Sequence, residues 1–322
     1  MKSIFRLAPL VALLLAAHLA WAQSYPTKPV HIIIPGAAGA PPDILSRAMA
    51  QPMSLALGQP WVVENRVGAN GIIGMEAVIR SAPDGYTLSV TQGAPVSLNP
   101  YFYSKLPYEP LRDLAPVANM GVIAASIMVS ATVPVNSLRE LIEMARAKPE
   151  SLVWSTWGPG SFSDLYRAWV EGTFNVKFLE LPYKASSAAM QSIIAGEGQV
   201  MLNASGALTS LARAGKIKVL ATIGPNRYRN LPDVPSFAEL GYDMDFRGWV
   251  GAFAPTGTSR DIVQRLNTEI NKVLADTAFG EKFLIPGSVE FKAGSPEEFG
   301  RFLKVDRELA GRLTKLAKVK PE

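Results

Sequence analysis

The chain is expected to fold as an α/β protein with two similarly built lobes. Short apolar runs rich in β-branched residues alternate with amphipathic helical stretches, the signature of βα units and largely parallel sheets. A strand, a glycine-rich loop and a helix follow one another twice, over residues 30–57 and 152–171. Apolar content of 48% is enough for real cores, and the roughly 300 residues left after loss of a leader suit two domains, or one domain with a large insertion.

Taken in order, the N-terminus comes first. Lys2 and Arg6 precede an apolar run from Leu7 to Trp21, broken only by His18, and Ala20-Trp21-Ala22 puts small residues at the two positions a signal peptidase reads. That order predicts a cleaved secretory signal peptide over residues 1–22. The run is shorter than the ~20 apolar residues of a membrane span. Val30–Ile34 then reads as a strand covered on both faces. Pro35 to Pro42 breaks it, and a helix is expected from Asp43 to Leu57, closed by Gly58 and kinked or shifted at Pro52. Strand 61–65, the turn Gly68-Ala69-Asn70-Gly71 and a helix through Arg80 follow. Pro83-Asp84-Gly85 is a turn before strand 86–91. A single strand pattern covers 122–130. Ser137-x-x-Glu140 is a capping box whose helix ends before Pro149. Strand 152–155 enters the second glycine-rich loop, Thr156-Trp157-Gly158-Pro159-Gly160-Ser161, with a helix from Phe162. Strands at 177–181, 199–203 and 218–222 alternate with helices at 186–195 and 208–214. After strand 249–254 come helices at 259–275 and 296–316. The late return to a strand at Trp249 suggests that the last segment completes the first lobe: residues 23–125 plus 249–322 against 126–248.

Composition narrows the chemistry. With no cysteine, thiol nucleophiles, thiolate metal sites and lipid attachment at cysteine are excluded. Loss of Lys2 and Arg6 with the leader takes the net charge from +5 to +3. The basic residues are scattered, without the clustered patch of a nucleic-acid binder. His31 is the single histidine after the leader. No Ser-His-Asp set, no Gly-x-Ser-x-Gly elbow and no cluster with metal-ligand spacing can be assembled around it, so neither an enzyme nor a metal or other cofactor is expected.

The two glycine-rich loops carry the candidate site. Each places backbone N–H groups at a helix N-terminus, where partial positive charge and unpaired donors bind anions; the plain alternative is an ordinary βα turn. Neither loop fits a P-loop or the dinucleotide fingerprint. Thr156 and Ser161 can add hydroxyl donors. Asp43 reads either as a first-turn acid favoured by the helix end or as an acceptor for a ligand hydroxyl, amine or water. Trp157, at a loop tip, either stacks on a ligand or packs on the neighbouring lobe; Trp154 alternates into the core.

A series of short motifs follows in a fixed order and spacing: Tyr25-Pro26-x-Lys28-Pro29, Ile32-Ile33-Ile34-Pro35, Ala37-Ala38-Gly39 with Asp43, Val62-Val63-Glu64-Asn65-Arg66, Ala82-Pro83-Asp84-Gly85-Tyr86-Thr87, Leu181-Pro182-Tyr183-Lys184, Arg213-Ala214-Gly215-Lys216, Leu231-Pro232-Asp233-Val234-Pro235 and Leu266-Asn267-x-Glu269-Ile270. Together they resemble the tripartite tricarboxylate transporter substrate-binding proteins, also called the Bug family. The resemblance spans essentially the whole chain after the leader. It implies a periplasmic binding protein type II fold, in which two α/β lobes joined by two crossing strands close on a ligand in the cleft. It implies a non-enzymatic periplasmic protein, a monomer, that delivers a small carboxylate to one large and one small integral membrane subunit, or alternatively presents it to a sensor kinase. The carboxylate is then held by Ala38, Gly39, Ala40 and Asp43 of the first loop and by Thr156, Gly158 and Ser161 of the second. Four departures stand out. Gly36 takes the place of a common Phe, Ala40-Pro41-Pro42 replaces Gly-x-Thr, Trp157-Gly158-Pro159 is bulkier than usual, and Asn203 falls where Asp is frequent. Trp157 and Asn203 thereby join the candidate ligand contacts, and a pocket suited to an apolar or aromatic carboxylate is expected.

Overall fold

The structure, a computed structural model, describes residues 25–321; the expected leader lies outside the described residues. Two mixed sheets carry the architecture. The first, in the order β11-β4-β10-β3-β1-β2, contains β1 (Val30–Ile34), β2 (Trp61–Asn65), β3 (Thr87–Gln92), β4 (Leu114–Ile123), β10 (Trp249–Pro255) and β11 (Val289–Glu290). The second, in the order β7-β6-β8-β5-β9, contains β5 (Ala125–Ser130), β6 (Val153–Thr156), β7 (Leu179–Pro182), β8 (Val200–Ala204) and β9 (Ile217–Thr222). The longer helices are α1 (Pro41–Leu57), α2 (Ile72–Ile79), α3 (Leu138–Ala147), α4 (Phe162–Phe174), α5 (Ser186–Ala195), α6 (Ser205–Arg213), α7 (Arg260–Ala275) and α8 (Pro296–Leu316).

Local chemistry accounts for most boundaries. In β1, Val30, Ile32, Ile33 and Ile34 are buried while His31 faces out. α1 starts two residues earlier than expected, because Pro41 at its first turn needs no N–H partner and has its φ preset. It continues through Pro52 and ends at Gly58, whose φ of 69° suits glycine. At α3 the Ser137 hydroxyl accepts the Glu140 N–H, but the reciprocal arm of Glu140 reaches the N–H of Asn136 rather than that of Ser137. A complete capping box sits instead at Ser295 and Glu298, opening α8.

The expected strand over 122–130 is two strands in different sheets. β4 and β5 are separated by Ala124 alone, whose N–H donates to the Ser288 carbonyl and whose own carbonyl accepts from Ser205. Residues 114–121 escaped notice because Pro116, Asn119 and Gly121 are poor strand formers. Tertiary pairing overrides that: β10 pairs along the whole of β4, and β11 covers only Val122 and Ile123, so Pro116 lies where no second neighbour needs its missing N–H. The sheets are also less parallel than expected. β1–β2, β1–β3, β6–β7 and β6–β8 are parallel, whereas β10 runs antiparallel to β3 and β4, and β5 antiparallel to β8 and β9. A direct strand crossing from one sheet to the other has no helix to return it to the same direction.

Each sheet has its own core. Ile32, Ile34, Leu45, Met49, Leu88, Leu266 and Ile270 fill the first. Ile127, Val129, Leu141, Trp154, Leu165, Tyr166 and Phe237 fill the second. Helix α8 joins them: Phe299 and Leu303 pack with Trp249 and Phe253, while Ala310 and Leu313 belong to the core of the second sheet. The segment 94–103, for which the sequence offered no element, also packs Leu98, Tyr101 and Phe102 against that core.

Candidate functional site

The two glycine-rich loops are built on one plan. In the first, Gly39 (φ 82°) donates its N–H to Asp43 Oδ2 at 2.9 Å, and Asp43 Oδ1 accepts from Arg47 at 2.8 Å. Arg47 also donates to Asn65 on β2, whose amide returns to the Gly36 carbonyl. In the second, Gly160 (φ 73°) donates to Asp164 Oδ2 at 2.8 Å, and Asp164 Oδ1 accepts from Arg167 at 2.6 Å. Arg167 also donates to Glu180 on β7, which accepts the Thr156 hydroxyl. The Gly-x-x-x-Asp spacing with an Arg one turn on is visible in the sequence at both places, yet Asp164 and Arg167 drew no notice there.

Asp43 therefore faces its own loop, 3% exposed. Burial pushes its carboxyl up, but the Gly39 N–H, the Asn65 amide and the Arg47 guanidinium outweigh this and hold it below the ordinary carboxylate value. It is not the N-cap; Ala40 is, with no side chain to bond. Thr156 is fully buried, its hydroxyl donating to Glu180 and its oxygen accepting from Gly158 N–H at 3.3 Å. Ser161 is the N-cap of α4.

Between the sheets lies a cavity of about 650 Å³. From the loop of β6 it takes Trp157, Pro159, Gly160, Ser161 and Phe162; from β8, Leu202, Asn203 and Ala204; from the first sheet, Asn70, Gln92, Gly93 and Ala94. Ile123, Ala125, Gly248 and Trp249 of the crossing segments form its floor. Of the residues expected at the site, Trp157, Ser161 and Asn203 line this cavity; Ala38, Gly39, Ala40, Asp43, Thr156 and Gly158 do not. Ala38 and Gly39 are exposed and Ala40 is half-buried, on the first loop. Trp157 also packs against the cluster around Met128, Met190 and Met201 on its own side of the cleft rather than on the opposite lobe.

Sequence reasoning missed Asn70, Gln92 and Ser186. Asn70 adopts φ 49° and exchanges hydrogen bonds with the buried Asn99. A Gly68-Ala69-Asn70-Gly71 turn before a helix was the available signal.

Among the described residues, the wall holds no Asp, Glu, Lys, Arg or His. Instead, helix N-termini converge on it. Asn70 lies two residues before α2, Ser161 caps α4, Ser186 opens α5 and Ala204 caps α6. Each end contributes partial positive charge; at α6 the first amides are already engaged, Ser205 N–H on the Ala124 carbonyl and Gly206 N–H on the Ser288 hydroxyl. Four aromatic rings, Phe102, Trp157, Phe162 and Trp249, supply the apolar face. A larger space of about 910 Å³ opens on the other side of the crossing, where the alternate residues Val122 and Arg247 point. Neither glycine-rich loop reaches it, and its wall mixes Arg229, Arg247 and Lys292 with Asp276, Glu281 and Glu290. The smaller cavity, with its uncharged wall and helix starts, is the better candidate for a binding site.

The family model described as tripartite tricarboxylate transporter family receptor matches residues 45–318. The protein BugT of Bordetella pertussis is 31% identical over 284 residues, which cover 88% of this chain and 87% of that relative. Among solved structures, periplasmic binding protein BugD aligns with a TM-score of 0.71 at 30% identity, covering 92% of this chain and all of that one. A protein of R. palustris, Rpa4515, solved with adipate, aligns with a TM-score of 0.75 at 28% identity, covering 93% of this chain and all of that one.

Proposed function

The chain belongs to the tripartite tricarboxylate transporter receptor family, and from that premise we propose that it is an exported solute-binding protein that closes two lobes, 23–125 plus 249–322 and 126–248, on a small carboxylate. It hands the ligand, as a monomer, to a membrane transporter of one large and one small subunit. The observation that carries this reading is the cavity at the crossing: among the described residues no ionisable side chain lines it, yet residues at the N-terminal ends of α2, α4, α5 and α6 do. Such a wall favours an anion through backbone dipoles alone. A relative of the same architecture has been solved with adipate, which supports the ligand class.

In the mechanism, Trp157, Ser161 and Asn203 meet the ligand first, since they already line the cavity. Closure brings the first loop, with the backbone of Ala38, Gly39 and Ala40, onto the ligand. Asp43 holds that loop in shape, and Thr156 and Gly158 do the same for the second. A ligand shifts the open–closed balance only by the extra contacts of the closed state, so contacts from both loops are needed. Trp157 stands in for the aromatic residue absent at Gly36, which gives the pocket a preference for an apolar or aromatic carboxylate. A thermal-shift panel of aliphatic and aromatic carboxylates tests this: aromatic acids are expected to raise the melting temperature most. Stabilisation only by small hydroxylated diacids such as malate would sink the preference, and no stabilisation by any carboxylate would sink the reading.

A further inference from the structure

A buried carboxyl that takes no part in ligand contact lies behind the floor of the cavity. Asp306 of α8 is 3% exposed, a costly place for a carboxyl unless its partners need it. Both of its partners belong to elements that build the cavity. Its Oδ2 accepts the Trp249 indole N–H at 2.8 Å and also the Ser97 hydroxyl. Trp249 is part of the floor. Ser97 lies in a helical stretch made of Ala94–Leu98 and Asn99–Phe102. Residues four apart in such a stretch share a face, and its two faces have different neighbours. Ala94, Leu98 and Phe102 line the cavity. Ser97 and Tyr101 bond to α8, Tyr101 through its hydroxyl on the Arg307 carbonyl at 3.0 Å. The indole is confined from other sides as well. A Cβ on Gly93 would lie 2.9 Å from its nitrogen, and the Phe299 ring meets it edge-on at 5.7 Å.

We propose that Asp306 is a positioning residue for the ligand cavity: a single carboxylate oxygen holds the Trp249 floor and the wall of Ala94, Leu98 and Phe102 in place, so that the apolar body of a carboxylate meets a preformed surface. This rests on the carboxylate reading above and assigns the apolar side of that site. One acceptor serves both donors only when the indole and the 94–102 stretch are correctly placed together. A surface set in advance spares the ligand the cost of ordering it. Without the acceptor, the indole N–H and the Ser97 hydroxyl become buried donors that must turn to find partners, and the floor and wall turn with them.

Calorimetry with benzoate and hexanoate, together with hydrogen exchange of the Trp249 indole N–H followed by NMR, tests it. Asp306→Leu removes the acceptor; it is expected to weaken both acids about tenfold and to speed the indole exchange by about the same factor. Asp306→Asn restores an acceptor and is expected to bring both readouts back to within about threefold of wild type. Ser97→Ala removes a donor that does not itself line the cavity, and is expected to weaken both acids about threefold. Thr314→Val, on the same helix, loses hydroxyl bonds only to the Ala310 and Gly311 carbonyls and is expected to match wild type in both readouts. Wild-type affinity in Ser97→Ala and Asp306→Leu, no rescue in Asp306→Asn, or an equal loss in Thr314→Val would each overturn the inference. Should Asp306→Leu fail to fold, Ser97→Ala decides it. Absence of binding of either acid by wild-type protein would instead remove the carboxylate reading, while the indole exchange would still show whether Asp306 fixes the floor.

Discussion

At the scale of single residues, the buried carboxyl of Asp306 has the most definite consequence. It sits on α8, 3% exposed, and one of its oxygens accepts from both Ser97 and the Trp249 indole. Burial raises it from 3.8 to about 6, against the lowering effect of those two donors. The folded protein thus holds this proton more tightly than the unfolded chain. Its contribution to stability is full below about pH 4 and is withdrawn as the pH rises toward about 6, by roughly 3 kcal/mol in all. Asp306→Asn keeps one oxygen for both donors and has no charge to bury. It is expected to melt several degrees above wild type at pH 7.5, with the gap closing by pH 4. A variant less stable than wild type at every pH would show that the carboxylate's hydrogen bonds outweigh its burial. Asp43, singled out in the sequence, turned inward to its own loop, while its counterpart Asp164 went unnoticed. A residue type at a helix start is legible; the direction of its side chain depends on Arg47 and Asn65, which come from the next turn and the next strand.

At the scale of elements, the second glycine-rich loop depends on a neighbour that no local pattern announces. A Cβ on Gly160 would lie 2.6 Å from the Phe102 ring, and its φ of 73° already disfavours a side chain. Gly36 in the first loop has open space around it and no such φ. Gly160→Ala is expected to cost about 2 kcal/mol or more in urea unfolding and to weaken carboxylate binding. Gly36→Ala is expected to fall within about 0.5 kcal/mol of wild type. Equal, small effects at both positions would show that the Phe102 contact does not fix the loop. Strands such as β1 and β10 were readable because every residue, or all but one, is apolar or small and buried. β4 was not, because pairing with β10 rather than propensity makes it a strand.

For the whole molecule, the layout of the crossing matters most. β4 passes into β5 at Ala124, residues 246–249 return to β10, and α8 packs on both cores. The proposed closure, pivoting here, would leave each core intact while the cleft narrows. Saturating carboxylate is therefore expected to reduce the radius of gyration in small-angle X-ray scattering without changing far-ultraviolet circular dichroism. Binding with an unchanged radius would argue for a rigid site. Because α8 and the 94–103 segment hold the second core as well as the first, closure has to carry them along or slide across them.

The sequence by itself determined the α/β class, the order of most elements and the two glycine-rich loops, since all of these follow from periodicity and from where glycine and proline interrupt it. It also carried the family, through many short motifs in a fixed order. Only the tertiary structure decided which loop residues reach the cavity. Trp157, Ser161 and Asn203 do, joined by Asn70, Gln92 and Ser186, because a wall is assembled from strand ends and helix starts far apart in the chain. It also decided that, among the described residues, the wall carries no charged side chain, since a side chain's partners are set by packing across sheets and not by its neighbours in sequence.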